Sequence, residues 1–542
     1  MLELLAKVEH SLLAREVSKI PLVEAIGLES DSAPRIELAQ ILIAYYGIEL
    51  LSIASIRHLL LTLIPLDKLN QAARRLQSLE SEYVYDAALG LAVKDWSSNS
   101  LLPRLLQAML EEQFRFKLGE EYLPGITAER PPTLEEVFSE PRQPLLDFQQ
   151  EVSDKILALL DKTGSRAMIQ MPTGSGKTRT VTDAIARYLS NKRLNNSILW
   201  LAHSEELCEQ AISTYRRSWL YAGTGRGRIY RLWGDHLPAP HQITGGIVIA
   251  GLQKLVSLSK KKSPLYMHIA KSCTALIFDE AHKALALTYR ELLADISKTN
   301  STVTIIGLSA TPGRSAWNSF ENKQLAKLFH NTLISPTFGE KDTLAALREM
   351  GVLARLKRVP LESPARLALL EHEKHYVEDF FELPVSVLTR LSKNVYRNKL
   401  ITSTLVEQVK AGRPTIVFAC SVQHSKIIAA LASIQGIKAC AITSDMNSAT
   451  RARYIEGFRN GQYQAIINYG ILSTGFDAPN TGSVIIARPT ASMVLYSQMI
   501  GRGMRGPKVG GREECRIIDI VDNIDGFGAE EDIYQHFSSY WN

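Results

Sequence analysis

The sequence predicts a chain of three parts: an all-α region, then two α/β domains that each contain a doubly wound parallel sheet. Apolar residues recur at helical spacing from the amino end to about Leu118, and glycine and proline cluster between Tyr122 and Pro144. Beyond that point, short apolar or β-branched runs alternate with helix-like segments of about a dozen residues or more. This alternation is typical of parallel strands joined by crossover helices.

The amino-terminal region, residues 1–135, is predicted to be a helical accessory domain. Leu5, Val8 and Leu12 fall at i, i+3 and i+7, which places them on one face of a helix. The most apolar stretch, 37–65, is interrupted by charged residues before it reaches the ~20 residues that a membrane span needs. We therefore expect buried helices there rather than a membrane segment.

The two α/β domains are predicted at 136–335 and 336–542. The short apolar runs that indicate strands stop and then restart after a charged helical segment at about 363–400. That segment is either a lid over a bound strand or a set of connecting helices. The predicted strands of the first domain are SILWLA (197–202), GIVIAG (246–251), ALIFDE (275–280) and VTIIGLSA (303–310). Those of the second domain are PTIVFACS (414–421), AIINYG (465–470), SVIIAR (483–488) and RIIDIVD (516–522).

Composition sets limits on function. Of 542 residues, 45% are hydrophobic and 22% are charged, as in an ordinary globular protein. The net charge of +6 permits a polyanionic partner without requiring one. The five cysteines include no C-x-x-C pair, which argues against a zinc site and a disulfide framework, so we expect a reducing, cytoplasmic environment.

The segment MIQMPTGSGKTRTV (168–181) has the pattern of a phosphate-binding loop between a strand and a helix. Backbone N–H groups of Gly174, Ser175 and Gly176 can surround a triphosphate at the amino end of the helix. Lys177 is predicted to reach the β- and γ-phosphates, and Thr178 to bind Mg²⁺. Met171 stands where the general pattern has its first glycine.

Two acidic residues end the predicted strand ALIFDE. Asp279 is predicted to bind Mg²⁺, and Glu280 to orient and deprotonate the attacking water. Because the phosphate loop and these acids both end strands of one sheet, they are expected at the same edge, where such sites lie.

Five motifs in order resemble those of the superfamily 2 helicases and translocases. The resemblance covers roughly 140–525 and is closest to the DEAH-type group of RadD-like, XPB-like and type III restriction helicase subunits. The motifs are MPTGSGKT (171–178), FDEAH (278–282), GLSATPGR (307–314), STGFDAP (473–479) and QMIGRGMR (498–505).

The resemblance implies two RecA-like domains with ATP and Mg²⁺ in the cleft between them. Arg502 and Arg505 would be arginine fingers that reach from the second domain to the γ-phosphate, and Gln498 a nearby contact to phosphate or water. Hydrolysis would then depend on closure of the cleft, as in a motor. The matched motifs also assign nucleotide contacts to Thr173, Gly475 and, near the ribose, Asp477.

Further residues are assigned from the same resemblance. Gln149, upstream of the phosphate loop, would contact adenine, although an ordinary exposed glutamine is the competing interpretation. Ser309 and Thr311 would couple ATP hydrolysis to strand movement, and His282 would join them.

Nucleic-acid contacts are implied in both domains, although Ser204 and Gly251 depart from the family pattern. These contacts go to phosphate and sugar and so carry no sequence information. The implied residues are His203, Gln253, Lys254, Ser421 and Thr474.

The segment YRRSWLYAGTGRGRIYRLW (215–233) allows two interpretations. Interleaved arginines and aromatic residues suit a stacking platform for single-stranded nucleic acid. The alternative is an arginine-rich edge strand with aromatic side chains in the core.

We therefore expect an ATP- and Mg²⁺-dependent helicase or translocase that acts on DNA in repair or restriction-like defence. Two alternatives stay open: an ATP-controlled clamp that recruits a partner such as a nuclease through its helical domain, and an RNA helicase of the same superfamily. The sequence shows no nuclease constellation of its own.

Overall fold

The computed structural model describes residues 1–75, 87–94, 101–117, 122, 132–138, 144–190, 196–311, 319–380, 382–470, 478–490 and 492–524. The described residues form a helical amino-terminal body and two sheets flanked by helices. The phosphate-loop domain holds an eight-stranded sheet, and the domain after it a six-stranded one.

The amino-terminal body is helical in its described residues, as predicted. Leu5, Val8 and Leu12 do not share one helix, however, because the first helix ends at Leu5 and the second begins at His10. Its core is built from leucine and isoleucine side chains such as Leu13, Leu42 and Leu60, all fully buried. The helices are α1 (Leu2–Leu5), α2 (His10–Ser18), α3 (Pro21–Ile26), α4 (Arg35–Tyr46), α5 (Ala54–Leu61), α6 (Leu66–Arg75), α7 (Ala87–Ala92) and α8 (Leu101–Phe114).

No single helix within the described ranges is long and apolar enough to cross a membrane. One pair of segments, Arg35–Ser52 and Ala54–Leu61, passes that test together by length and composition, but it is bent by 93°.

The first sheet has the strand order β1-β4-β5-β3-β6-β7-β2-β8, in which only β1 is antiparallel to its neighbour. Its strands are β1 (Leu134–Phe138), β2 (Arg166–Gln170), β3 (Ser197–Ala202), β4 (Arg226–Leu232), β5 (Gly246–Gly251), β6 (Cys273–Asp279), β7 (Thr304–Ser309) and β8 (Leu333–Ile334). Its helices are α9 (Asp147–Leu160), α10 (Lys177–Ser190), α11 (Glu205–Ala222), α12 (Leu252–Lys260), α13 (Pro264–Ser272), α14 (Leu287–Thr299) and α15 (Ser319–Leu328).

Strand β1 corrects the interpretation of 122–144 as a plain linker. Residues 134–138 pair antiparallel with β4 and so form one edge of the first sheet. The strand also spans the predicted boundary at 135. Its short polar sequence, LEEVF, gives no strong strand signal, because its pairing with β4 depends on tertiary structure.

The second sheet is parallel throughout, with the strand order β11-β12-β10-β13-β14-β9. A short helix, α16 (Thr343–Glu349), precedes it. The strands are β9 (Arg355–Leu367), β10 (Thr415–Phe418), β11 (Ala439–Ile442), β12 (Ala465–Asn468), β13 (Ser483–Ile486) and β14 (Glu514–Ile524). The helices are α17 (Glu371–Phe380), α18 (Val385–Ser392), α19 (Val395–Lys410), α20 (Val422–Ile434), α21 (Ser448–Arg459) and α22 (Met493–Ile500).

The predicted helical connector at about 363–400 begins later than expected. Its first residues, 363–367, extend strand β9, which pairs with β14 up to Leu367 across an irregularity in register. Pro364 lies at this irregularity, where its missing N–H is tolerated. Helices α17 and α18 follow and pack through Leu383, Val387 and Leu391.

The amino-terminal body shares its core with the second sheet's helices. Ile427 and Ala430, on α20, are buried in the same apolar cluster as α4, and Leu431 packs against that cluster. A backbone contact adds to this interface, since the N–H of Ile48 donates to the Tyr454 hydroxyl at 3.3 Å. The amino-terminal body therefore packs directly on helix α20 of the second domain.

Deletion of residues 1–117 is expected to lower the thermal unfolding midpoint of the remaining chain. The deletion exposes Ile427, Ala430 and Leu431, and their burial contributes about 2–4 kcal/mol. The midpoints of the full and shortened chains, measured by calorimetry, test this. In the full chain, Ile427→Asp should lower the midpoint, whereas Gln423→Ala, at an exposed position of the same helix, should not. An unchanged midpoint after deletion would show instead a separable accessory domain.

Candidate functional site

The phosphate loop connects β2 to α10 and has the backbone that the glycine pattern predicts. Gly174 and Gly176 have φ of +84° and +91°, a left-handed region that other residues rarely adopt. Ser175 donates its backbone N–H and its hydroxyl to the carbonyl of Pro172, at 3.1 and 2.7 Å. Met171, in place of the usual glycine, is fully buried under the loop. The loop is thus preformed at the amino end of α10.

Gln149 lies against this loop. Its side chain is 1% exposed, so the interpretation of an ordinary exposed glutamine is wrong. Nε2 donates to the carbonyl of Ser175 at 2.8 Å, and Oε1 accepts the N–H of Leu146 at 3.1 Å. Gln149 therefore supports the phosphate loop directly, and its contact with adenine stays a prediction.

Asp279 ends β6 and Glu280 follows it, at the same edge of the sheet as the loop. Glu280 has a φ of +54°, an unfavourable conformation for a non-glycine residue that turns its carboxylate towards the loop's cavity. Its backbone N–H donates to Asp279 Oδ1 at 3.0 Å. The strain is consistent with a functional position, where such conformations concentrate.

The two carboxyl groups have opposite pKa shifts. Burial and the neighbouring Glu280 charge raise the pKa of Asp279 to about 7. Burial also favours a raised pKa for Glu280, but the charge of Lys177 and the contact with His282 outweigh it and hold that pKa below its usual value. Glu280 is therefore ionised at neutral pH, as a general base must be.

The site fits a Mg²⁺ ion held by Asp279 and Thr178. Asp279 is a buried carboxyl whose charge is not fully compensated, and both side chains line one cavity with Lys177. A divalent cation would supply the missing positive charge and polarise the phosphates. No group of three or more His, Cys, Asp or Glu side chains that could hold a metal occurs within the described ranges.

Arg505 lies against the phosphate loop, and Arg502 lines the same cavity, although both belong to the second domain. Helix α22 ends at Ile500, and a 3₁₀ turn follows at Gly501–Gly503. A Cβ atom placed on Gly501 would lie 2.5 Å from Thr173 Cγ2, so only glycine allows this approach. A Cβ atom placed on Gly174 would lie 3.6 Å from Arg505 Cγ.

One cavity of 2430 Å³ joins these groups across the two sheets. The residues that the sequence predicts for nucleotide chemistry and that line this cavity are Gln149, Thr173, Gly174, Gly176, Lys177, Thr178, Asp279, Glu280, Thr311, Gln498, Arg502 and Arg505. Gln498 accepts the Arg502 Nε–H through its backbone carbonyl at 3.2 Å. Gly475 and Asp477 lie outside the described residues.

The residues predicted to couple ATP hydrolysis to strand movement lie at the end of β7 and beside Glu280. Ser309, at the end of β7, donates its hydroxyl to the carbonyl of Thr311 and accepts the N–H of Thr311, at 2.7 and 3.1 Å. His282 Nδ1 lies 3.3 Å from Glu280 Oε2. A Cβ atom placed on Gly307 of β7 would lie 2.8 Å from Ala281 Cβ, so the turn that carries His282 packs on β7.

The predicted nucleic-acid contacts have different environments. His203 is held between Phe278 and Tyr289, and burial lowers its pKa to about 3, so it is neutral. Gln253 is exposed, and Lys254 donates to the carbonyl of Gly234 at 2.8 Å. In the second domain, Ser421 caps α20 by accepting the N–H of His424 at 3.0 Å. Thr474 lies outside the described residues.

The three aromatic residues on which the stacking interpretation of 215–233 depends are not accessible to a base. Trp219, Tyr230 and Trp233 are buried in the cores on either face of the first sheet. Arg231 is 1% exposed and pairs with Glu135 and Glu209, each at 2.9 Å. The interpretation as core is confirmed, although the edge of the sheet is β1 rather than β4.

Sequence reasoning missed an ion pair across the cleft. Arg451, on α21, donates to Glu206, in the first turn of α11, and to the carbonyl of Met446 at 3.0 Å. Both charged residues line the shared cavity. No signal along the chain connects two residues so distant in sequence.

Two family models match the chain. One, described as type III restriction enzyme, res subunit, matches residues 142–314, and the other, described as helicase conserved C-terminal domain, matches residues 397–506. The first match contains the phosphate loop and the acids, and the second contains Ser421 and both arginines.

Individual proteins are similar over one or both domains. "Putative ATP-dependent helicase IRC3" of Saccharomyces cerevisiae is 26% identical over 387 residues, which are 70% of this chain and 51% of that protein. The chain thus spans about half the length of this relative. "ATP-dependent rRNA helicase RRP3" of Debaryomyces hansenii is 26% identical over 158 residues, covering 29% of this chain and 31% of RRP3.

A solved structure shows the same fold. The crystal structure of DUF1998 helicase MrfA bound to DNA has a TM-score of 0.51 and 16% identity, and the match covers 75% of this chain and 53% of that one. At this identity the likeness concerns the fold, two RecA-like domains in tandem.

Proposed function

The chain belongs to the superfamily 2 helicases, and from this we propose that it hydrolyses ATP, with Mg²⁺, to translocate along DNA. The observation that carries the proposal is the position of Gly501 and Arg505 against Thr173 and Gly174. Groups from both domains line one cleft, so hydrolysis depends on how the two domains are placed. A change of nucleotide state then becomes a change of domain position.

DNA is the proposed track, with DNA repair or restriction-like defence as the setting. The family model that matches the first domain is named for a restriction enzyme, and MrfA is described as bound to DNA, which support this choice. RRP3, named as an rRNA helicase, favours the RNA alternative over a shorter match. The proposed compartment is the reducing cytoplasm, because the five cysteines are free and buried.

A clamp that recruits a partner, such as a nuclease, is the second candidate. It is favoured by the amino-terminal body, which packs on α20. This helix begins directly after Ser421. A partner bound to this body would be carried with the second domain.

ATP turnover by the purified chain tests the proposal. We expect single-stranded DNA to raise turnover several-fold above the basal rate, and RNA to raise it less. Glu280→Gln, expected to be silent under every condition, controls for contaminating ATPases. Stronger stimulation by RNA would overturn the choice of DNA. Turnover unchanged by any polymer would overturn translocation and favour the clamp.

A further inference from the structure

The corner between α18 and α19 presents an aromatic side chain to solvent. Tyr396 is 75% exposed, more than any other large apolar or aromatic side chain among the described residues. Lys393 and Lys399, on either side of it in sequence, are also exposed. We call Lys393, Tyr396 and Lys399 the α18–α19 corner.

The backbone beneath this corner is held rigidly. Arg397, fully buried, donates to both carboxylate oxygens of Asp522 at 2.7 Å and to the carbonyl of Ala487 at 2.5 Å. Its Nη1 also donates to Cys420 Sγ at 3.7 Å. Breaking such a buried, hydrogen-bonded ion pair is strongly destabilising, so the backbone that carries Tyr396 is held in place.

This anchoring places the corner beside Ser421. Helix α19 is the crossover that leads into β10, so its amino end lies at the carboxyl edge of the second sheet. His424, on α20, connects that helix to α19. Its Nδ1 accepts the N–H of Cys420, and its Nε2 lies 3.0 Å from Oδ1 of Asn398, on α19. The exposed corner therefore adjoins the nucleic-acid contact predicted for the second domain.

The charge around the corner is positive. The segment KNVYRNK, 393–399, contains no acidic residue. The nearest acid in sequence, Glu407, lies eight residues beyond Lys399 on α19, about 12 Å along the helix axis. Upstream, Glu382 lies 3.3 Å from Arg488, and Glu373 pairs with Arg390. Lysines that flank an exposed aromatic ring suit phosphates on either side of a stacked base.

We propose that the α18–α19 corner binds single-stranded DNA that continues past Ser421, with a base stacked on Tyr396 and the flanking phosphates on Lys393 and Lys399. This inference rests on the proposed function. It makes the segment at 363–400 part of the surface that binds the DNA. Stacking is tolerant of sequence, so the corner would hold the strand without reading it.

Binding of a fluorescent oligothymidine, measured by anisotropy at several salt concentrations, tests the proposal. Tyr396→Ala should weaken binding about 5- to 100-fold, because no ring is left for the base to stack on, whereas Tyr396→Phe should bind like the unchanged chain. Lys393→Glu and Lys399→Glu should weaken binding and make its logarithmic dependence on salt shallower by about 0.7 for each phosphate that is no longer neutralised.

Lys410→Glu is the matched control. Lys410 is exposed on the same helix, about 21 Å along its axis from Tyr396, so its replacement should leave binding within twofold. Thermal unfolding of every variant checks that the fold is intact.

The outcomes separate this inference from the proposed function. If the unchanged chain binds DNA but Tyr396→Ala binds equally well, the corner does not bind DNA, and its exposed tyrosine is left to another partner. If the unchanged chain binds no DNA and shows no stimulated ATP turnover, the proposed function itself fails. If the same variants weaken oligouridine binding more than oligothymidine binding, the choice of DNA is overturned.

Discussion

Glu280→Gln is expected to reduce ATP turnover by about 10²- to 10⁴-fold while ATP still binds. The carboxylate is held ionised beside Lys177 and His282, within the cavity that contains the phosphate loop. An amide of the same size keeps the packing but cannot accept a proton from water. Single-turnover hydrolysis and equilibrium binding of a fluorescent ATP analogue measure the two effects separately.

Glu291→Gln provides the matched control for this variant. Glu291 is exposed on α14, outside the cavity, and its replacement should leave turnover unchanged. Turnover of Glu280→Gln near that of the unchanged chain would show that another group deprotonates the water. Loss of ATP binding together with turnover would indicate a structural role for Glu280.

Arg505→Ala is expected to reduce turnover by about 10³-fold or more, because an arginine finger stabilises charge that develops on the transferred phosphoryl group. Arg505 lies beside Gly174, and its backbone pairs with Leu353 between the two sheets. Arg505→Lys should recover little of the activity, since an ammonium lacks the planar fork of a guanidinium. The turnover number and the affinity for ATP, measured separately, test the assignment.

Arg453→Ala controls for the removal of a positive charge in the same domain. Arg453 is exposed on α21 and does not line the cavity, so turnover should be preserved. An Arg505→Ala chain with a normal turnover number and weaker ATP binding would assign the residue to ground-state binding. In that case Arg502 would be the finger to test next.

Buried strands were the elements most readily predicted from the sequence. Strands β3 and β5 coincide with SILWLA and GIVIAG, because a parallel strand covered on both faces is a continuous apolar run. Strands β1 and β9 are among those that the sequence did not predict. Both depend on pairing with partners far along the chain, and neither is a continuous apolar run.

The phosphate loop and the acid pair were predicted from local pattern, because each is a short segment whose backbone and chemistry are set by neighbouring residues. Local pattern could not decide whether the aromatic residues of 215–233 are exposed or buried. A tryptophan such as Trp219 or Trp233 can stack on a base or fill a core, and the neighbouring residues do not distinguish the two. The contact of Gln149 with the phosphate loop could likewise not be predicted, because it depends on how the helix that carries Gln149 packs.

The sequence by itself determined the α/β class, the order of the motifs and which residues are predicted to bind the nucleotide. Only the tertiary structure shows that Arg505 lies beside Gly174, that Arg451 pairs with Glu206 across the cleft, and that the amino-terminal body packs on α20. Motifs are read within a few residues of chain, whereas these contacts join surfaces separated by hundreds of residues. Such contacts form only where packing brings complementary shapes and charges together.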